Sequence, residues 1–228
     1  MYVLGNLKNE KYFFYHSSII SCFSPISSLN QITQLYPQYY KKNILIQNLK
    51  QIPKIYPQQV ALRYCQLHLS TLCKDYCSPI FAFGLIGILQ GGIYGHTNLF
   101  FSKNMNITNN IKINHYFRGP VFASTRDIIS QGIPFTFISN FCDSSFEDNK
   151  IYYYSCLFGL SITSTFLSHP LHCLQVFCQN NPSKSQFEVA KFMIKKHNFN
   201  LFYKGISGRI ILIFITNLCN DLFLKKIW

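Results

Sequence analysis

Six mostly apolar stretches follow one another along the chain, separated by short polar or basic segments. They cover residues 12–32, 59–77, 79–101, 120–142, 151–177 and 206–224. About 20 apolar residues in an α-helix cross the hydrocarbon core of a bilayer. The third stretch carries no charge and contains Gly87 and Gly91 in the GxxxG spacing that lets helices pack closely. The pattern predicts an all-α membrane protein with six transmembrane helices.

A repeat runs through these stretches. Pro25, Thr97 and Pro170 lie 72 and 73 residues apart, each within or at the end of an apolar stretch. A large apolar residue follows each position after four residues, at Leu29, Phe101 and Leu174, and an amide follows after nine, at Gln34, Asn106 and Gln179. The spacing predicts one domain, 1–228, made of three tandem helix pairs at about 1–77, 78–145 and 146–228. Pro25, Thr97 and Pro170 are the predicted kinks of the first helix in each pair.

The segments inside the pairs are basic. Residues 41–55 and 184–199 carry apolar residues at helical spacing between lysines, which predicts helices lying along a membrane interface. The corresponding middle segment, 107–116, is shorter and rich in asparagine, so we expect it to lack a full helix. These segments fall on one side of a six-helix topology, and the positive-inside rule then orients the chain.

Composition narrows the class of protein. Only 13% of residues are charged, against about 25% in soluble domains, and the formal net charge is +13. The lysines form short clusters between apolar stretches, which favours lipid phosphate over nucleic acid as their partner. With eight acidic residues and no nucleophile motif, the chain offers little for acid–base catalysis, so we do not expect an enzyme. The first ten residues do not form a secretory signal.

Two short motifs start the second helix of their pairs. They are Phe117-Arg118-Gly119 and Tyr203-Lys204-Gly205, and Arg126 follows the first by seven residues from its glycine. In the first pair Arg63 follows Tyr56 at the same distance. Together with the threefold repeat, these motifs resemble the mitochondrial carrier family over nearly the whole chain. The resemblance implies a carrier-like bundle in the mitochondrial inner membrane, as a multi-pass protein.

The resemblance also implies site residues. Carriers hold cardiolipin at such motifs, so the implied phospholipid-binding residues are Phe117, Arg118, Gly119, Tyr203, Lys204 and Gly205. Exposed amides and the dipole at a helix N-terminus suit a phosphate; the alternative is a plain turn with a basic side chain reaching to the interface. Arg63 and Arg126 are the implied vestigial solute site, and the alternative is structural pairing of these arginines. Asp127, the next residue, is expected to point away from Arg126.

The chain departs from the carrier pattern where carriers need charge. In carriers, the first helix of each pair contains a proline, with an acidic residue two positions after it and a basic residue five positions after it. Here the acid positions hold Ser27, Leu99 and His172, and the basic positions hold Asn30, Ser102 and Gln175. Asn30 and Gln175 are expected to hydrogen-bond across helices and hold one state. Two gates with ion pairs are what alternating access requires, so transport is predicted to be lost.

The predicted function is therefore that of an accessory structural subunit in an inner-membrane assembly, for which a respiratory-chain complex is the expected host. Its partners would be other inner-membrane subunits and phospholipid, with no other cofactor. The alternative is a divergent solute transporter of the same membrane.

One histidine pair raises a further alternative. His169 and His172 lie three residues apart beside Cys173, a spacing that could hold a metal or haem. The nine cysteines show no paired CxxC spacing, and His96 recurs at the position of His169. Inherited packing or an interhelical hydrogen bond near the kink explains the histidine more simply, so no metal site is predicted.

Overall fold

The structure is a computed structural model that describes residues 2–73, 76–108, 111–116, 118–141, 149–197 and 203–224. The all-α prediction is confirmed. The long helices are α1 (Tyr2–Leu35), α2 (Lys42–Cys73), α3 (Pro79–Asn104) and α7 (Lys150–Asn180), with α8 (Gln186–His197) and α9 (Ile206–Cys219) after them. Between α3 and α7 lie α4 (Ile113–Tyr116), α5 (Pro120–Asp127) and α6 (Ile133–Phe141). A 3₁₀ turn covers Pro37–Tyr39, and π-helical turns cover Ile128–Gly132 and Asn220–Leu224.

The long helices pack in chain order and close into a ring. Helix α1 contacts α2, α2 contacts α3, α3 contacts α5, α5 contacts α7, α7 contacts α9, and α9 returns to α1. Pro25 lies inside α1, Thr97 inside α3 and Pro170 inside α7. The helix order of a long helix followed by a shorter partner recurs along the chain, while the three repeats themselves stay a prediction.

Apolar residues form the core at one end of this ring. Leu29, Phe101 and Val176 come from three different helices and join Met193 of α8 in the largest apolar cluster. Nearer the middle of the helices the buried side chains become polar. The largest apolar cluster therefore lies at one end of the ring, and smaller ones, with Phe13 and Leu67 in one and Ile20 and Leu212 in another, lie elsewhere between the helices.

Glycines let α3 approach α5 closely. A Cβ added at Gly87 would lie 2.8 Å from the carbonyl oxygen of Ala123, and one at Gly91 would lie 3.2 Å from the Ala123 Cβ. Only a residue without a side chain fits such a contact without displacing the backbone opposite. The interpretation of Gly87 and Gly91 as packing residues is confirmed.

The prediction of six transmembrane helices is wrong. In the part of the chain that the structure describes, only the helical segment Ile206–Phe223 is long and apolar enough to cross a membrane. Hydroxyl side chains on the buried faces of other helices lower their mean hydropathy. In α1 these are Ser17, Ser21, Ser24 and Ser28, and in α7 they are Ser161, Ser164, Thr165 and Ser168. Counting apolar residues along the sequence overlooked this polar stripe.

The three segments predicted inside the helix pairs, 41–55, 107–116 and 184–199, have different structures. Residues 41–55 do not form a separate helix, because α2 runs on through Pro53 and Pro57 to Cys73. The second predicted segment, 184–199, forms helix α8, and its place at a membrane interface stays a prediction. Among its described residues, the middle segment forms a helix of only four residues, α4. The stretch 120–142 contains a π-helical turn, where the Ile133 amide donates to the carbonyl of Ile128 ahead of Pro134. A proline lacks the amide that would continue a regular α-helical ladder.

Candidate functional site

A buried polar network surrounds Arg126 of α5, which is 1% exposed. Its Nε donates to Asp127 Oδ1 at 2.6 Å, and its Nη1 donates to Gln175 Oε1 at 2.5 Å. The same Nη1 lies 3.3 Å from His172 Nδ1. A charge removed from water needs such a paired and hydrogen-bonded environment. Arg126 is thus anchored to its own helix and to α7.

The expectation that Asp127 points away from Arg126 is wrong. Adjacent helical residues start about 100° apart, but the long arginine side chain folds back far enough to form the ion pair. The pair lies in the interior, with both side chains almost fully buried. Structural pairing of Arg126, one of the two alternatives from the sequence, is what the structure displays.

Amides of α7 extend the network to α3. Gln179 Nε2 donates to the Gly91 carbonyl at 3.0 Å, and Gln175 Nε2 reaches the same oxygen at 3.4 Å. A backbone carbonyl inside a helix keeps a lone pair that can accept these second bonds. Residues from α3, α5 and α7 are therefore held in one hydrogen-bonded unit.

Arg63 lies in a second polar cluster, together with His16, Gln66 and Asn220. The four line a cavity of about 20 Å³, with Gln131 and three apolar residues completing the wall. His16 Nε2 and Asn220 Oδ1 are 2.8 Å apart, which ties α1 to the π-helical turn after α9. The cavity has room for about one water molecule. The predicted solute-site arginines, Arg63 and Arg126, are both buried, each within its own cluster.

A third group involves α1, α7 and α9. Arg209 of α9 is buried, and His169 Nε2 lies 3.0 Å from the carbonyl oxygen of Lys204. Gln31 Nε2 donates to Cys173 Sγ at 3.7 Å. His169 is thus buried and bonds to the turn that precedes α9. Within the described residues, His, Cys, Asp and Glu side chains do not gather in threes that could hold a metal ion.

The residues at the positions where carriers place their gate charges are mostly buried. Ser27, Leu99, Ser102, His172 and Gln175 are buried, and Asn30 is half-buried. Asn30 Nδ2 donates to the Gly205 carbonyl at 3.5 Å, while Gln175 bonds Arg126 of α5. The expectation that these two amides bond across helices is confirmed. The bond of Asn30 is neutral, whereas the bond of Gln175 is charge-assisted because the Arg126 guanidinium donates it.

The two glycine motifs occupy equivalent places. Gly119 and Gly205 are the N-caps of α5 and α9, with left-handed φ values of 75° and 77°. Each glycine contacts a long helix closely: Gly119 contacts α7 and Gly205 contacts α1. A Cβ added at Gly119 would lie 3.3 Å from Gln175 Cα, and a Cβ added at Gly205 would lie 2.9 Å from Gln31 Cα. The prediction that these motifs start helices is confirmed, and lipid binding there stays a prediction.

The basic residues of the two motifs have different surroundings. Arg118 is half-buried, and its Nη2 donates to the Pro182 carbonyl at 2.7 Å and also to the Lys184 carbonyl. Lys204 is exposed, and the ring of Tyr203 lies 5.9 Å from that of Phe166. Phe117 lies outside the described residues. Lys204 is therefore better placed than Arg118 to meet a phosphate.

The outer surface of the ring is apolar. On α7, Phe158, Phe166 and Leu167 face outward, with Leu167 64% exposed, while Ser161, Ser164 and Ser168 of the same helix face inward and Ser155 is exposed. On α3, Phe81 is 68% exposed, and Leu85 and Ile88 follow it at helical spacing. A helix of a water-soluble protein shows the opposite arrangement.

Sequence reasoning found Arg63, Arg126 and Gln175 but missed Gln31, Gln179 and Asn220 as interior partners. Single amides inside apolar stretches were the signal that could have located them, because a polar side chain there is costly unless it is bonded. The sequence matches no protein-family model and no curated protein sequence.

Proposed function

We propose that this protein is a non-catalytic accessory subunit of a membrane assembly in the mitochondrial inner membrane. The observation that carries the proposal is the inverted polarity of α7, which buries Ser161, Ser164 and Ser168 and exposes Phe158 and Leu167. Large exposed apolar areas mark contacts with lipid or with other proteins. Such a surface needs an apolar environment.

The interior favours a structural role over transport. A transporter needs two states of similar energy and a ligand that binds one of them better. Here Arg126 is bonded to Asp127 and Gln175, and Gln175 is bonded again to Gly91. Separating α5 from α7 would break the hydrogen bond from Arg126 to Gln175 and the contact with His172, while Asp127 would stay beside Arg126 on α5. A hydrogen bond to a charged group contributes about 1.5–3 kcal/mol. The network stabilises one arrangement of the helices.

The mitochondrial membrane and the respiratory-chain host come from the resemblance to mitochondrial carriers. If the ancestral fold belonged to that membrane, the large assemblies there are the available hosts for a chain that has lost its gates. The chain's +13 charge suits anionic phospholipid at the edges of such an assembly.

The experiment is extraction of the source mitochondria in mild detergent, followed by native gel separation and mass spectrometry of each band. We expect the chain to migrate far above its own 26.6 kDa, in constant ratio to the subunits of one complex. Migration alone, together with exchange of a metabolite after reconstitution into vesicles, would contradict the proposal.

A divergent transporter is the second candidate, and one observation favours it. Three arginines, Arg63, Arg126 and Arg209, are buried among the described residues, whereas Asp127 is the buried acid there. Surplus positive charge inside a ring suits an anionic solute. Uptake of labelled inorganic phosphate by vesicles containing the purified chain, lost in Arg63→Gln, would favour transport over the structural role.

A further inference from the structure

A groove on the outer side of α1 and α2 has a composition that the proposed function does not explain. Its volume is about 810 Å³, within the range of small-molecule sites. The wall from α1 consists of Glu10, Lys11, Phe14, Tyr15 and Ser18, and the wall from α2 consists of Tyr56, Pro57, Val60, Ala61 and Tyr64. Each set has the spacing of one helix face, and each covers about 12 Å of helix.

The long walls of the groove are apolar, whereas one of its ends is charged. Val60, Ala61 and Pro57 give one wall an apolar surface, and Phe14 opposite them is more than half exposed. At one end the wall carries Glu10 and Lys11, so that a negative and a positive group stand side by side. Tyr64 of α2 lines the same groove as Glu10 of α1, so both helices contribute to its wall.

We infer that this groove holds one zwitterionic phospholipid, with phosphatidylethanolamine as the best match. Its phosphate would meet the Lys11 ammonium, its own ammonium would donate to the Glu10 carboxylate, and an acyl chain would lie along Phe14, Val60 and Ala61. Charge-assisted hydrogen bonds of this kind are stronger than neutral ones. The inference rests on the membrane location in the proposed function.

The charges also argue against other occupants. An anionic lipid or a fatty acid could pair its negative group with Lys11 but would supply no cation for the Glu10 carboxylate. The chain as a whole, at +13, attracts anionic lipid, so a preference for a zwitterionic lipid would be specific to this groove. A helix of a partner protein would not need both charges at one end.

The test uses the purified full-length chain, exchanged in mild detergent against equal amounts of phosphatidylethanolamine and phosphatidylglycerol. Native mass spectrometry then counts the retained lipids. We expect about one phosphatidylethanolamine per chain. Val60→Trp fills the groove and should lower its retention at least fivefold, whereas Val121→Trp, the same change on the exposed face of α5, should leave it unchanged.

Charge reversal separates head-group recognition from simple apolar adhesion. Glu10→Lys leaves two cations at the end of the groove and should switch the retained lipid to phosphatidylglycerol. Gln47→Lys adds a positive charge at an exposed site on α2 outside the groove and should not change the preference. Equal retention in Val60→Trp and wild type, or phosphatidylglycerol retained by the wild type, would overturn the inference.

The two proposals can fail separately. If the chain migrates alone on native gels but retains one phosphatidylethanolamine, the accessory-subunit function fails and the lipid site stands. If it joins a complex and cross-linking from position 60 captures a helix of a partner subunit, the groove is a protein interface and the lipid inference fails.

Discussion

Helices α5 and α9 start alike and then lead into different interiors. Each begins at a glycine in the left-handed conformation that contacts a long helix closely: Gly119 contacts α7, and Gly205 contacts α1. Seven residues later α5 has Arg126 in its ion pair, whereas α9 has Leu212, buried in an apolar cluster with Ile20. The glycine cap fixes where the helix docks, and the position seven residues on holds a charge in α5 and an apolar side chain in α9, whose buried arginine, Arg209, lies four residues after its glycine.

The largest expected effect comes from removing the charge that distinguishes α5. Arg126→Met leaves Asp127 buried without its guanidinium, and breaking a buried ion pair from one side costs about 3–5 kcal/mol. We expect a lower midpoint in chemical denaturation, followed by circular dichroism of the purified chain in detergent.

The control removes both charges. The double variant Arg126→Met with Asp127→Asn should recover much of the lost stability, because no unpaired charge stays inside. If the double variant is as unstable as the single one, the arginine stabilises by packing or by its bond to Gln175, and the ion pair is not what distinguishes α5 from α9.

The shared feature is tested by adding one methyl group at each cap. Gly205→Ala and Gly119→Ala each force a left-handed backbone on a residue that disfavours it, at about 1–3 kcal/mol. Gly205→Ala should be the worse of the two, since its Cβ would come to 2.9 Å from Gln31 Cα, against 3.3 Å from Gln175 Cα at Gly119. Thermal unfolding of the variants measures the difference.

Gly159→Ala is the matched control for both. Gly159 lies inside α7, and a Cβ added there meets nothing within 4 Å. Alanine is the better helix former by about 1 kcal/mol, so this variant should be slightly more stable than wild type. Equal destabilisation of all three variants would show that the left-handed backbone and close contact at the two caps do not cause the effect.

The basic residues before the two glycines, Arg118 and Lys204, differ in their contacts and provide a further test of the comparison between α5 and α9. Arg118→Gln loses its bonds to the carbonyls of Pro182 and Lys184, which should destabilise the half-buried loop after α7 by about 1 kcal/mol. Lys204→Gln removes an exposed charge and should leave stability unchanged while weakening binding to anionic vesicles. Vesicle flotation and thermal unfolding separate the two outcomes, and equal vesicle binding by both variants would contradict the assignment.

Much of the helical framework could be predicted from the sequence, because apolar stretches and glycine motifs are local signals. Gly119 and Gly205 start helices as expected, and the seven-residue spacing found Arg126. The number of membrane crossings was predicted wrongly from the count of apolar residues, because hydroxyl side chains such as Ser161 and Ser164 lower the mean hydropathy of their helices. The partners of Arg126 also required the position of α7 against α5.

A third helix start completes the comparison and has the smallest expected effect. Helix α8 begins without a left-handed glycine: the Ser185 amide donates to Glu188 Oε2 at 2.7 Å, and the Glu188 amide donates to Ser185 Oγ at 3.2 Å. This reciprocal pair is a capping box. The hydrogen bonds from Ser185 lower the pKa of Glu188 below its usual value. The contribution of the box to stability is therefore complete above the unfolded pKa of a glutamate and is lost as the pH falls through the lowered pKa.

Ser185→Ala removes the hydroxyl acceptor and should cost about 1 kcal/mol or less, because α8 begins at an exposed position. The amide exchange rates of α8 should rise in this variant, and the pKa of Glu188, followed by NMR titration, should return toward its ordinary value. Gly205→Ala leaves the box intact and should not change that pKa. If acid loosens α8 equally in wild type and Ser185→Ala, the box does not set the start of α8, and packing of Val189 and Met193 against the core does so instead.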